Sequence, residues 1–273
     1  MRKTPKVAAV QMASSPNVNA NLLEAERLIR EAAEAGAGLV VLPENFAFMG
    51  QRIQDLLPLV EQDGDGPLQA FLSRMASKYG VWLVGGTLPL VAHTRDRVRA
   101  ACLVFDERGK QVGRYDKIHL FDVSLPGADE RYEESAAIEP GDATRVIDSP
   151  FGRLGVAVCY DLRFPEQFRR MLDDGMELAA IPSAFTAITG KAHWETLVRA
   201  RAIENLAYVV AAAQGGYHIN GRETHGHSMI VDPWGSILAQ VPRGTGVVAC
   251  RIDADYLHSV RRNFPTIEHR RLK

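Results

Sequence analysis

Cysteine is scarce in this chain, its charges cancel, and it has no apolar run long enough to cross a bilayer. Only three cysteines, Cys102, Cys159 and Cys250, occur in 273 residues. Their spacing has no pattern, so no disulfide framework or cysteine zinc site is indicated. The 32 basic and 33 acidic residues are interspersed and leave a formal net charge of -1, which provides no basic field for nucleic acid. No lipidation signal and no stretch of 18 apolar residues is present, so no membrane partner is expected. Few thiols, and a start at Met1 that leads straight into a strand, point to a reducing setting, expected to be the cytoplasm.

What is present is enough apolar material, 46% of the residues, for one large α/β domain over residues 1–273. Lys6–Met12 reads as a strand, and Leu22, Ala25, Leu28, Ile29 and Ala32 recur at helical spacing behind it. Asn21 and Glu24 have capping-box spacing for that helix, and Gly36 can close it. Gly38–Glu44 reads as a strand buried on both faces that breaks at Pro43. A second helix–strand step ends at Val81–Gly86. Ala100–Phe105 and Gln111–Tyr115 form an expected hairpin. The segment from Ser124 to Gly141 holds two prolines, two glycines and five acidic residues, and reads as a long functional loop.

The second half repeats the alternation: a strand ending at Cys159, a helix from Pro165, a strand Leu178–Pro182, a loop Thr186–Gly190, a helix His193–Asn205 and a strand Tyr208–Ala213. His227–Gly235 and Gly246–Ile252 read as antiparallel strands around a Pro-Trp-Gly turn. The tail from Tyr256 is basic and amphipathic and is expected to pack on a neighbouring subunit.

Glu44, Lys117 and Cys159 each sit where apolar sequence turns polar. Alone, each has a structural explanation: a helix-capping acid, a solvated lysine, a small core thiol. Together they form a proton acceptor, a cationic electrophile and a nucleophile, which is a complete set for acyl transfer. A strand-to-helix turn at Cys159 would also bring helix N-terminal amides toward the sulfur, favouring a thiolate.

Leu42–Asn45 (LPEN), Tyr115–Asp122 (YDKIHLFD) and Gly155–Glu166 (GVAVCYDLRFPE) resemble, in order and spacing, the glutamate, lysine and cysteine segments of the nitrilase superfamily of carbon-nitrogen hydrolases. The resemblance implies a four-layer αββα sandwich, a homodimer joined through a helical face, and a Glu44–Lys117–Cys159 triad with no metal and no organic cofactor. It marks Glu134, rather than Glu133, as an additional pocket acid. The backbone amide of Tyr160 would share the oxyanion with Lys117. Pro182–Glu195, Arg199–Glu204, Ala211–Gln214 and Gly226–Gly235 are most similar to the Nit branch, which contains deaminated glutathione amidases and omega-amidases; Ser183 and Ala211–Gln214 lie closer to the former. Cys-Tyr-Asp in place of Cys-Trp-Glu argues against nitrile hydrolysis. The implied substrate is a small carboxylate-bearing amide, with Arg163 as its anion contact and Phe185, Thr186 and Thr189 as pocket wall.

Three other readings compete. His225 and His227 have the HxH spacing of metal-dependent amidohydrolases, but no second histidine pair or carboxylate set accompanies them; His119 and His193 read as loop-orienting. An acyl transferase differs from a hydrolase only in its acceptor. A non-catalytic sensor thiol at Cys159 leaves Glu44 and Lys117 without a role.

Overall fold

The computed structural model describes residues 4–124, 131–219 and 221–272. In the first half β1 (Lys6–Gln11), α1 (Val18–Glu34), β2 (Leu39–Val41), α2 (Pro67–Tyr79) and β3 (Trp82–Val84) alternate, followed by β4 (Leu88–Val91), β5 (Val98–Phe105) and β6 (Gln111–Asp116). A short hairpin of β7 (Asp122–Ser124) and β8 (Arg131–Glu133) leads into β9 (Arg145–Ser149), β10 (Gly152–Val156), α3 (Pro165–Asp173), β11 (Leu178–Ser183), α4 (Ala187–Asn205) and β12 (Tyr208–Ala213). The hairpin β13 (Gly215–Tyr217) and β14 (Glu223–His225), then β15 (Met229–Val231), β16 (Ile237–Gln240), β17 (Gly246–Arg251) and α5 (Ala254–Asn263), complete the chain.

Two sheets result. One runs β17-β1-β2-β3-β5-β4, with β6 also on β5, and the other runs β16-β15-β12-β11-β10-β9. The period-2 alternation of β1 shows how they stack. Val7 and Ala9 join the core shared with β10, β11 and β12, whereas Ala8 and Val10 face Leu28, Ile29 and Phe71 on the outer helices α1 and α2. Phe168 of α3 and Trp194 of α4 pack in the core of the second sheet. The order of layers is therefore helix, sheet, sheet, helix: the expected αββα sandwich.

Several local expectations need correction. Helix α1 begins at Val18, four residues before the periodic stripe suggests, and its cap is Asn17, which accepts from the Ala20 amide. Asn21 is buried and instead braces a loop through Ser15 and Ala47. The proposed loop Thr186–Gly190 is the first turn of α4, capped by Thr186. Across the Pro-Trp-Gly turn β15 pairs with β16, an unforeseen strand, while β17 crosses to the other sheet and pairs with β1. The tail needs no such correction: Leu257 and Val260 of α5 are buried within this chain and Arg261 bonds the carbonyls of Met176 and Leu206, while Tyr256, Phe264 and Leu272 stay exposed. Of the long loop, residues 125–130 lie outside the described residues; its remainder forms β8 and a 3₁₀ turn at Glu134–Ala136.

Candidate active site

The parallel strands β1, β2, β10, β11 and β12 lie in two facing sheets, and the residues just beyond their carboxyl ends gather at one edge of the sandwich. This is where α/β folds open a crevice. A cavity of about 260 Å³ opens there, bordered by Glu44 after β2, Cys159 after β10 and Phe185 after β11. Tyr160, Arg163, Thr186, Thr189 and Glu134 also line it.

Lys117 does not line the cavity; it lies behind the carboxylates and is 1% exposed. Its Nζ donates to Glu44 Oε1 at 2.8 Å and to Glu134 Oε1 and Oε2 at 2.9 and 2.7 Å. Glu134 also accepts from the Phe121 amide at 2.8 Å, so the loop after β6 is tied to the same cluster. All three ammonium hydrogens are thus engaged by carboxylate oxygens. The resemblance marked Glu134 as an additional pocket acid; the structure sets it against Lys117, both of its oxygens accepting from Nζ.

Burial pushes the Glu44 carboxyl above its ordinary value, against the Lys117 charge and its hydrogen bonds to Lys117 and the Cys159 thiol. Burial pulls Lys117 down, but Glu134, Glu44 and Cys159 together hold it well above its ordinary value, so it is a fixed cation. Burial, followed by the negative charge of Glu44, pushes the Cys159 thiol up, while Lys117 and the Ala184 amide oppose this. A resting thiolate at a helix N-terminus is therefore not the arrangement found. A 3₁₀ turn over Cys159–Arg163 separates the sulfur from α3, and the amide that bonds it, at 3.4 Å, belongs to Ala184. That amide, just past the end of β11, has no local sequence signal. Burial and the Glu44 charge together favour the neutral form of the thiol.

Arg163 extends over the rings of Phe185 and Tyr160, at 5.2 and 5.8 Å, and its Nη1 is 3.2 Å from His193 Nδ1. Among the described residues it has no carboxylate partner, so at the cavity wall it can receive an anion. Thr186 and Thr189 share a hydroxyl hydrogen bond at 2.9 Å in the first turn of α4. Arg222 and Thr224, from β14 and the turn before it, border the cavity unforeseen. The His225 and His227 rings stack at 4.3 Å, and no cluster of three or more metal-ligating side chains occurs among the described residues. No helix is long and apolar enough to cross a membrane among the described residues.

Residues 6–262 match the family model described as carbon-nitrogen hydrolase. The chain belongs to the carbon-nitrogen hydrolase family. As such it is an enzyme acting on amides. This carbon-nitrogen hydrolase is 42% identical to a deaminated glutathione amidase of Yersinia enterocolitica, over 98% of this chain and 94% of that one. It is 39% identical to the human deaminated glutathione amidase, over 98% and 82%. Among solved structures it resembles Saccharomyces cerevisiae Nit3, a member of branch 10 of the nitrilase superfamily, with TM-score 0.87, 32% identity and coverage of 98% and 97%. It also resembles the C. elegans NitFhit protein, with TM-score 0.90 and 38% identity, covering 98% of this chain but 65% of that one. The resemblance to the nitrilase superfamily, read from the three motifs, and to its Nit branch, read from the segments between Pro182 and Gly235, is thereby established.

Proposed function

We propose that this hydrolase is a deaminated glutathione amidase: a thiol-dependent enzyme that converts a small carboxylate-bearing amide to acid and ammonia. The observation that carries the chemistry is the buried Lys117, between two carboxylates, one of which, Glu44, borders the same cavity as Cys159. The relatives bearing that name, in bacteria and animals alike, support the substrate. In the reading we adopt, Glu44 takes the thiol proton as sulfur attacks the carbonyl. Lys117 and the Tyr160 amide hold the oxyanion, each good donor contributing about 3 kcal/mol. Collapse breaks the C–N bond, Glu44 delivers the proton to departing ammonia, and a thioester remains. Water, deprotonated by Glu44, then releases the acid and restores the thiol.

Ammonia release from deaminated glutathione, alpha-ketoglutaramate, an N-carbamoyl amino acid and a simple nitrile tests the assignment. Deaminated glutathione is expected to give the highest kcat/KM; preference for alpha-ketoglutaramate would make the protein an omega-amidase. Full ammonia yield with no added acceptor separates hydrolysis from acyl transfer.

Arg163 is the proposed carboxylate contact, with Phe185, Thr186 and Thr189 shaping the wall. Arg163→Ala is expected to raise KM for an anionic amide by about 10- to 100-fold with kcat little changed, as for loss of a charge-assisted pair. An unchanged KM counts against the contact.

The raised Glu44 value sets a pH dependence. The base must be ionised, so kcat/KM falls as pH drops through the folded-state value, which lies above that of an ordinary glutamate. The acid limb of the kcat/KM profile is expected there, as a property of the coupled Glu44–Cys159 pair. A limb at or below the ordinary glutamate value would remove Glu44 as the base.

We further infer a homodimer, supported by exposed Ile203, Trp234 and Phe264 on the α4 and α5 side, where Trp234 and Phe264 meet edge to face at 5.3 Å. A cytoplasmic location is supported by three unpaired thiols.

A further inference from the structure

Two residues after the thiol lies Asp161, a carboxylate with no solvent exposure. Its two oxygens accept four hydrogen bonds. Oδ2 receives the Tyr115 hydroxyl at 2.6 Å and the Val158 amide at 2.8 Å. Oδ1 receives the His119 amide at 3.0 Å and lies 2.8 Å from His119 Nδ1. A carboxylate offers this acceptor capacity on both oxygens; an asparagine would aim its amino group at a donor already present.

The origin of the four donors matters more than their number. Tyr115 and His119 stand two residues before and two residues after Lys117, on the segment leaving the first sheet. Val158 immediately precedes Cys159, on the segment leaving the second. Cys159 itself has φ of +48°, in the left-handed region that a non-glycine residue occupies only when its surroundings hold it there. Asp161 holds it from both sides, through the side-chain bond to the Val158 amide and a 3.0 Å bond from its own amide to the Val158 carbonyl. The Tyr115 hydroxyl is locked in turn by the Ile118 amide at 3.2 Å and Gln167 Nε2 at 2.9 Å, and the His119 ring lies flat on Phe164 at 3.6 Å.

We propose that Asp161 is a positioning residue for the reaction: its buried carboxylate joins the segments carrying Lys117 and Cys159 and so sets the sulfur against the ammonium across the two sheets. It touches neither substrate nor reacting atoms. Its role rests on the reading of Cys159 and Lys117 given above, and it adds to that reading what holds them in register. Without the join, the strained turn at Cys159 relaxes and the sulfur shifts, and misplacement by about 1 Å costs a rate on the order of 100-fold.

The test compares Asp161→Asn, Tyr115→Phe and their double variant with the parent, each rate expressed per folded active site counted by thiol titration. Asp161→Asn is expected to lose about 100-fold in kcat with KM within about twofold, because ground-state binding at Arg163 is untouched. Tyr115→Phe, which removes one arm without changing charge, is expected to lose about 10-fold. The double variant is expected to be no worse than Asp161→Asn, since both changes act through one carboxylate. Leu28→Ala, in the separate core beneath α1, controls for stability: it is expected to lower Tm while leaving kcat per folded site unchanged. If Asp161 only stabilises the fold, its variants behave like Leu28→Ala, with kcat per site within about threefold of the parent, and the proposal fails. Should Asp161→Asn not fold, Tyr115→Phe decides alone, an unchanged kcat overturning the proposal. Cys159→Ala, assayed alongside, keeps the two readings apart: activity in that variant removes the nucleophile assignment, whereas an inactive Cys159→Ala with a fully active Asp161→Asn removes only the positioning role.

Discussion

Replacing Cys159 by alanine is expected to reduce ammonia release by roughly 10⁵- to 10⁶-fold, the scale set by deletion of a covalent nucleophile, while the fold and the cavity persist. Neither remaining thiol can substitute. Cys102 has no solvent exposure and burial drives its thiol far up, and the Cys250 thiol, on β17, is pushed by burial to about 11. The sulfur of Cys159 borders an open cavity, so its removal leaves no sealed void, and the cost to stability is expected to stay below about 1 kcal/mol. The variant should bind the anionic amide with parental affinity, because Arg163 and the α4 turn are unchanged, and it should form no thioester detectable by mass spectrometry. In the parent, iodoacetamide should label Cys159 ahead of the other two thiols. Appreciable turnover by the alanine variant would exclude a thioester route and return the site to a mechanism in which Glu44 activates water directly.

Lys117, after the half-polar strand β6, was legible through its motif Tyr115–Asp122, whereas Glu44 and Cys159 were legible because each follows an apolar run that ends at the edge where the crevice opens. The layer order could be read for the same reason: β1, β2, β10, β11 and β12 are continuous or alternating apolar stretches with helical stripes between them. What escaped depends on contacts distant in sequence. Gly190 looked like a turn residue, yet it lies inside α4, at a place where a β-carbon would stand 2.2 Å from Cβ of His225 on β14. Its lack of a side chain serves packing between helix and hairpin, which no local pattern reveals. β16 was missed because its four half-exposed residues are placed only by register against β15. The Ala184 amide that faces the sulfur carries no side-chain signature at all. Asp161 was visible as part of the cysteine motif, but its four donors come from three places in the chain. The residue type was apparent and its work was not.

Replacing Lys117 by methionine should damage stability and activity together, and the two losses should part company as pH changes. Methionine fills the space but leaves Glu44 and Glu134 facing each other without the cation bonded to both at 2.7–2.9 Å. Breaking a buried ion pair by deleting one partner costs about 3–5 kcal/mol, which in a domain of this size is a fall in Tm on the order of 10 °C. Part of that cost is avoided when a carboxylate takes up a proton. Burial already raises Glu44, and the Lys117 charge is what pulls it back, so the variant raises it further. An acid raised in the folded state stabilises the protein fully below its unfolded value, about 4.3 for glutamate, and loses about 1.4 kcal/mol per pH unit from there up to its folded value. The stability deficit relative to the parent is therefore expected to be small in mild acid and to widen toward neutrality, as read by thermal melts across pH. Activity has no such escape. At low pH the variant keeps its fold but Glu44 is protonated and accepts nothing from the thiol; at higher pH the base is ionised but no cation meets the oxyanion. A loss of at least about 1000-fold in kcat is expected at every pH, given the usual weight of one oxyanion donor together with the lost support for the thiolate. A stability deficit independent of pH would mean that the carboxylates remain ionised without Lys117. Activity recovering to within about tenfold of the parent would show that the ammonium, with all three hydrogens held by Glu44 and Glu134, serves only as their counter-ion.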